Sequence, residues 1–524
     1  MTLKYGLLLA AALALAPAAA QAERTHALVI GVNAYVHVPA LDGARDDALD
    51  ITQALKRGGV ERVVTLLDND VTKANLTAAL EQLLTSAQKG DTLFISYAGH
   101  GAQARERKPG DEKDGKDEFW VLPGFDPKRV RETWRETVFD NELNQWFVQA
   151  SAKGVRVIFV SDSCHAGGME RSLKTKLRFV EFGKDRLIGD LLSFMSSGDA
   201  ADKGSAESLL PPNVTMLAAT SEDLPVPEVV IDGKARGALS WSVARALEGN
   251  ADRDGDGQIT RAELEDYVFS TVRIRSESLQ TPVFTPAAAK SRGETLLALE
   301  NAGTVKVAAD TTTVKRAGRP MPMMARDLGF EPVLPLVVKG AEIKVPDTKT
   351  GENAYEWDAE KGVFRTPNGD IAAENITEFT LGDVVAKFIL LDFLKAVSAS
   401  NPGRTDIAPI KQVYYAGDRI KFDTVRGNYK NMVVFNLANT GEVQFLDMVV
   451  DGEPTQKAFL KEMKVVPPFG ADHLVTIASN EPLEAIGQAA GRGVNPKELL
   501  GVISERIDGK DASVSIFAIY TRAK

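Results

Sequence analysis

Five short apolar runs constrain this chain more than any other feature of its sequence: His26–Tyr35, Val63–Leu67, Thr92–Ala98, Val155–Ser161 and Val214–Ala219. Helical patterns stand between them. Ala44–Leu55 carries apolar residues at 48, 49, 51 and 55, and Asn75–Ala87 carries them at 76, 79, 80, 83 and 84, with a third helix suggested at Leu143–Ala150. Strands apolar on both faces, alternating with amphipathic helices, build a mainly parallel sheet sandwiched by helices, so the expected fold class is α/β. In such sheets the reactive groups gather beyond the carboxyl ends of the strands. Two of those ends carry His100 and Cys164.

The chain has 524 residues, 44% hydrophobic and 26% charged. Single cores stop growing near roughly 250–300 residues, which predicts more than one domain. Residues 1–22 have a basic start, an apolar run from Leu7 to Ala16 and an Ala20-Gln21-Ala22 end, the pattern of a secretory signal peptide cleaved before Glu23. The expected location is therefore outside the cytoplasm, periplasmic or extracellular. Residues 23–289 form the α/β unit. The Ala-, Lys-, Thr- and Pro-rich stretch 290–340 reads as a linker with little structure of its own. Residues 341–524 read as a β-rich (α+β) accessory domain, with strands at Arg419–Thr424, Met432–Leu437, Val443–Met448 and Ser513–Tyr520. No later stretch is long and apolar enough to span a membrane. A formal charge of −10 carries no electrostatic footprint for nucleic acid.

Cys164 is the only cysteine, which excludes an intramolecular disulfide, a cysteine-built zinc site and an iron–sulfur cluster. A lone cysteine is most often a small buried hydrophobe, and a loop histidine often caps a helix. Here, however, Asp162-Ser163-Cys164 follows one apolar strand and Gly99-His100-Gly101 follows another. Thiolate chemistry needs a base for the thiol proton and donors for the oxyanion. The Gly101 N–H is available for the second task, and the glycines let a substrate backbone come close. Strand alternation puts Asp162 and Cys164 on one side, where the carboxylate would attract a cationic side chain.

At these residues the sequence resembles the caspase-like clan, and within it the metacaspases and their bacterial relatives. The resemblance runs from about residue 26 to residue 286. It rests on Leu93–Gly101 and Val157–Gly168, and on the segments Leu41–Ala48, Asp114–Glu118 and Phe139–Leu143. It implies a cysteine endopeptidase with Cys164 as nucleophile and His100 as general base, then acid. It implies an oxyanion hole from the N–H groups of Gly101 and Cys164, and an acidic pocket of Asp47 and Asp162 for Arg or Lys before the cut bond. Ala44 stands where the family often has a cysteine. Asn141 stands where metacaspases tend to carry a second aspartate of a calcium-binding group, which puts a regulatory calcium at Asp140 in doubt. His165 is read as structural.

Two further features bear on regulation. Arg171, Lys174, Lys176, Arg178, Lys184, Arg186 and Lys203 populate a polar stretch after the cysteine, readable as a solvated loop or as a self-cleavage segment. Residues 252–263 fit the EF-hand loop. Asp252, Asp254 and Asp256 occupy positions 1, 3 and 5, Gly257 the turn, the Gln258 carbonyl position 7, Thr260 position 9 and Glu263 position 12. Calcium is thus the expected cofactor, with no organic one. The expected partner is a peptide or protein substrate with a basic residue at the cut, and the accessory domain is open to an unidentified partner. A catalytically silent calcium-holding scaffold and a thiol esterase share the same fold and stand as alternatives.

Overall fold

The computed structural model describes residues 23–105, 116–164, 176–180, 210–220, 226–286, 293–298, 336–340, 354–452 and 459–524. Residues 1–22, read above as a signal peptide, and Asp114, Gly115, residues 165–168, Arg171, Lys174, Lys184, Arg186 and Lys203 lie outside these.

The N-terminal unit is built on a six-stranded sheet. Its strands are β1 (Thr25–Gly31), β2 (Arg62–Leu67), β3 (Thr92–Ala98), β4 (Arg156–Asp162), β5 (Val214–Ala218) and β6 (Val283–Thr285). Their order across the sheet is β6-β5-β4-β3-β1-β2, and every pair is parallel except β6 with β5. Alternation assigns the faces. Leu28 and Ile30 of β1, Leu93 and Ile95 of β3 and Val157 and Phe159 of β4 pack with α2 (Lys73–Ser86) and α3 (Asp140–Ala152). Ala27, Val29, Phe94, Ile158 and Val160 face the other way, onto α1 (Ala44–Arg57), α4 (Ala238–Arg245) and α5 (Arg261–Arg275). These side chains are almost fully buried, and each large one contributes roughly 1.5–3 kcal/mol through removal from water. This two-sided burial is why the strands read as continuous apolar runs.

α1 carries Asp46 and Asp47 in its first turn and Lys56 and Arg57 in its last, the polarity that complements a helix dipole. α5 starts with a capping box in which Thr260 and Glu263 bond reciprocally.

The C-terminal unit centres on a five-stranded sheet in the order Tyr414–Tyr415, Ala512–Arg522, Ala471–Ser479, Asn431–Leu437 and Val443–Val449. Helix α6 (Glu378–Ser398) and the helices Glu484–Gly491 and Pro496–Ile507 pack their apolar residues with this sheet. The structure departs from the sequence reading in two places. Within 290–340 the described residues include two strands. Thr295–Ala298 pairs antiparallel with Gln258–Thr260 of the acidic loop, and Leu336–Lys339 pairs parallel with Tyr355–Asp358. The second departure is α6, which is apolar on so much of its circumference that it shows little helical periodicity. Among the described residues no helix is long and apolar enough to cross a membrane.

Candidate active site

The carboxyl ends of β3 and β4 lie side by side, with Ala98 paired to Asp162, so the chain brings His100 and Cys164 to the same level two residues further on. Both are buried. Two tyrosine hydroxyls hold the His100 backbone: Tyr35 Oη accepts its N–H at 2.7 Å and Tyr97 Oη donates to its carbonyl at 2.8 Å. Gly99 has to be glycine here. A Cβ would stand 2.7 Å from Tyr97 Oη and 2.8 Å from Tyr35 Oη, closer than such contacts occur.

The imidazole state follows from its surroundings. Burial, and then the nearby Arg178 guanidinium, pull His100 down to about 4, although its contact with the Pro39 carbonyl pulls upward. The ring is therefore neutral at pH 7. Nε2 lies 2.7 Å from the Pro39 carbonyl oxygen, which can only accept, so Nε2 carries the hydrogen. Nδ1 keeps its lone pair, buried and without a hydrogen-bond partner. A neutral imidazole with a dry acceptor nitrogen is fitted to take a proton.

The most informative feature is what occupies this site. Residues 176–180 of the same chain lie across it as an added strand. The Arg178 N–H donates to the Val226 carbonyl (2.9 Å), the Glu228 N–H to the Lys176 carbonyl (2.9 Å) and the Val180 N–H to the Gly101 carbonyl (3.1 Å). The Arg178 carbonyl oxygen receives two hydrogen bonds, from the N–H of Gly101 at 3.0 Å and of Cys164 at 3.1 Å. Its side chain, fully buried, enters a nest of carboxylates. Nη2 pairs with Asp47 and lies 3.3 Å from Glu228, while Nη1 lies 3.2 Å from Asp162. Lys176 reaches Asp42 at 2.8 Å.

Each carboxylate is further anchored. Asp47 accepts the Gly237 N–H at 2.8 Å, and Asp162 accepts the Ser240 N–H, at the start of α4, also at 2.8 Å. Glu228 accepts the N–H groups of Asp42 (2.9 Å) and Gly43 (2.8 Å). Gly237 forms the wall between them, where a Cβ would stand 2.1 Å from Asp162 Oδ2 and 2.4 Å from Arg178 Nη1. Three buried carboxylates around one guanidinium leave excess negative charge. Burial and the neighbouring Asp162 push Asp47 up to about 7 against the pull of Arg178, and the same carboxylates push the guanidinium further up against the effect of burial.

Asp47 and Asp162 thus meet, as do Gly101, His100 and Cys164. Glu228 escapes sequence reasoning, because it sits in a short segment whose place beside α1 is set only by folding. Nothing in sequence separates Arg178 from the six other basic residues around it.

The acidic loop lies on the α5 side of the domain. One oxygen each of Asp252, Asp254 and Asp256 cluster within 4.8 Å of one another. Asp252 also accepts the N–H groups of Gly255 (2.7 Å) and Gly257 (2.9 Å), which wraps the loop around its carboxylate. Gln258 and Thr260 stand on the following short strand, and Glu263 accepts from Thr260 N–H at 2.9 Å and Arg253 N–H at 3.0 Å. Three clustered hard oxygen donors fit calcium. Elsewhere, burial, then Asp117 and Glu118, push the Asp140 carboxyl up to about 7.

Comparison with known proteins places a family match on the N-terminal unit. Residues 25–171 match the metacaspase, peptidase C14 domain family. Metacaspase-1 of Ajellomyces capsulatus is 28% identical over 260 residues, which is 43% of this chain and 71% of that protein. Metacaspase-1 of Sclerotinia sclerotiorum is 28% identical over 263 residues, 43% of this chain and 59% of its own. Metacaspase-1A of Aspergillus niger is 29% identical over 260 residues, 43% and 62%. The matched stretch thus spans between 59% and 71% of these relatives. Fold and match together define the class, a caspase-like cysteine peptidase domain. Within that class the N-terminal unit is similar over residues 25–171 to the metacaspase, peptidase C14 domain, the domain of a cysteine endopeptidase family. The C-terminal unit lies outside the matched residues.

Proposed function

We propose that this protein is a cysteine endopeptidase that cuts after arginine or lysine, and that the bond after Arg178 is one of its substrates. One observation carries the reading: Arg178 puts a cation in the carboxylate nest and its carbonyl oxygen on two converging N–H groups at the same time. In the reaction the Cys164 thiol gives its proton to His100 Nδ1, and the sulfur attacks the Arg178 carbonyl carbon. Negative charge develops on the oxygen already bonded to Gly101 and Cys164. Collapse breaks the bond to Phe179 nitrogen, which takes the proton from His100. Water, deprotonated by the same imidazole, then hydrolyses the thioester and frees the thiol. For other substrates to enter, the 176–180 segment has to leave. The test is a fluorogenic arginine peptide assayed with wild type and Cys164→Ala: turnover is expected in the first only, and equal turnover in both would refute the assignment.

We further propose calcium at 252–263, on the strength of the loop pattern and the clustered oxygens. Calcium at a hundredfold excess over its Kd stabilises a protein by about 2.7 kcal/mol. A rise in melting temperature of several degrees is therefore expected on calcium addition. Asp254→Ala is expected to abolish it, since that change removes a donor oxygen while Asp252 keeps its N–H bonds. Identical melting curves with and without calcium would rule the site out.

A further inference from the structure

We infer that the C-terminal unit is a working part of the substrate wall, holding through the turn 276–280 the segment 226–228 on which the bound residues 176–180 pair. This rests on the peptidase reading above. Helix α5 runs from the acidic loop into the C-terminal unit, where Ile274 joins that unit's core. Arg273 donates to the Thr405 carbonyl at 3.0 Å and lies 4.1 Å from the Phe517 ring centre. Arg275 donates to the Lys395 carbonyl at 3.2 Å, and Tyr267 Oη to that of Ala399 at 2.8 Å.

The turn after α5 is gripped more tightly still. Glu277 Oε2 lies 2.9 Å from His473 Nε2, and its other oxygen pairs with the Lys395 ammonium. Against the upward push of burial, Lys395 and then His473 hold this carboxyl well below the ordinary carboxylate range. The Ala518 N–H donates to Ser278 Oγ at 3.1 Å. Glu277 and Ser278 both have left-handed backbones, φ 50° and 58°. Such conformations cost of order 1 kcal/mol or more each and persist only where the surroundings impose them. Here the imposing groups belong to the C-terminal unit.

The far side of the turn faces the active site. Fully buried Gln280 donates from Nε2 to the Pro227 carbonyl at 3.1 Å, while its own N–H donates to Ser276 Oγ at 3.1 Å. Pro227 stands opposite Leu177 in the added strand. On either side of it, Val226 accepts from Arg178, and Glu228 contributes both an N–H to the segment and a carboxylate to the nest. Gln280 and Glu277 are therefore positioning residues: neither touches the reacting atoms, and one turn joins them.

Hydrogen exchange in the full-length Cys164→Ala chain tests the relay without needing turnover. Gln280→Met keeps the side-chain length and removes the donor, and Glu277→Gln keeps the shape and removes the charge. Each is expected to speed exchange at the Arg178 and Glu228 amides by roughly two- to tenfold, the scale of one hydrogen bond, with α2 unchanged. With Cys164 restored, KM for the arginine peptide is expected to rise by a similar factor while kcat stays within about twofold. Unaltered exchange at 176–180 and 226–228 in Gln280→Met, or equal acceleration in α2, would overturn the relay. If that variant does not fold, Glu277→Gln is read against the same two outcomes. Failure of the peptidase reading shows separately, as wild-type chain without Cys164-dependent turnover.

Discussion

Wild-type protein is expected to yield two fragments joined to no common backbone, ending at Arg178 and beginning at Phe179, while Cys164→Ala stays whole. The expectation comes from geometry already in place. The Arg178 carbonyl is held by the Gly101 and Cys164 N–H groups at 3.0 and 3.1 Å, so the peptide bond is presented to the only thiol in the chain. Presentation within one chain makes the reaction unimolecular, which removes much of the entropic barrier to approach. Removing the nucleophile is expected to slow the cut by roughly four to six orders of magnitude, since the remaining hydrogen bonds and pocket supply only residual catalysis. Intact-mass measurement decides the matter. Equal masses for wild type and variant after prolonged incubation would exclude self-processing at this bond, and a cut at another basic residue would remove Arg178 from the role.

Arg178→Met is expected to block that cut even with Cys164 present, and to weaken the fold in a pH-dependent way. The guanidinium offsets part of the charge of three buried carboxylates, and leaving buried charge uncompensated costs up to about 3–5 kcal/mol. Asp47 is already held up at about 7 by burial with the arginine present, and loss of the cation raises it further. A carboxyl whose folded pKa lies above its unfolded one favours the fold at low pH, and that advantage is lost as pH rises through the folded value. The variant's deficit in melting temperature is therefore expected to be small near pH 4 and large by pH 8. A deficit that is the same at both would show that the three carboxylates do not share one desolvated nest.

Much of this site was legible in the chain. Strand ends at Gly99-His100-Gly101 and Asp162-Ser163-Cys164 are marked by abrupt changes from apolar to small and polar residues, and a parallel sheet has to bring such ends to one edge. Asp47 was legible only through resemblance, since on α1 it looks like an ordinary first-turn acid favoured by the helix dipole. Glu228 was not legible, because its pairing with Asp42, Gly43 and Arg178 joins segments more than 40 residues apart. In the C-terminal unit α6 hid for a different reason. A helix buried on most sides loses the polar face that reveals its period. It even buries Lys387 fully, its ammonium donating to the Ala438 and Ala471 carbonyls.

By itself the sequence determined the layered α/β unit, the place of His100 and Cys164 beyond two strand ends and the acidic loop, because each depends on local pattern: strand alternation, helical spacing or a twelve-residue loop order. Tertiary structure alone decided which basic residue enters the pocket, which third carboxylate meets it, and how the C-terminal unit grips the turn beside it. Those outcomes depend on desolvation and on charges brought together from distant segments, and no local pattern encodes either.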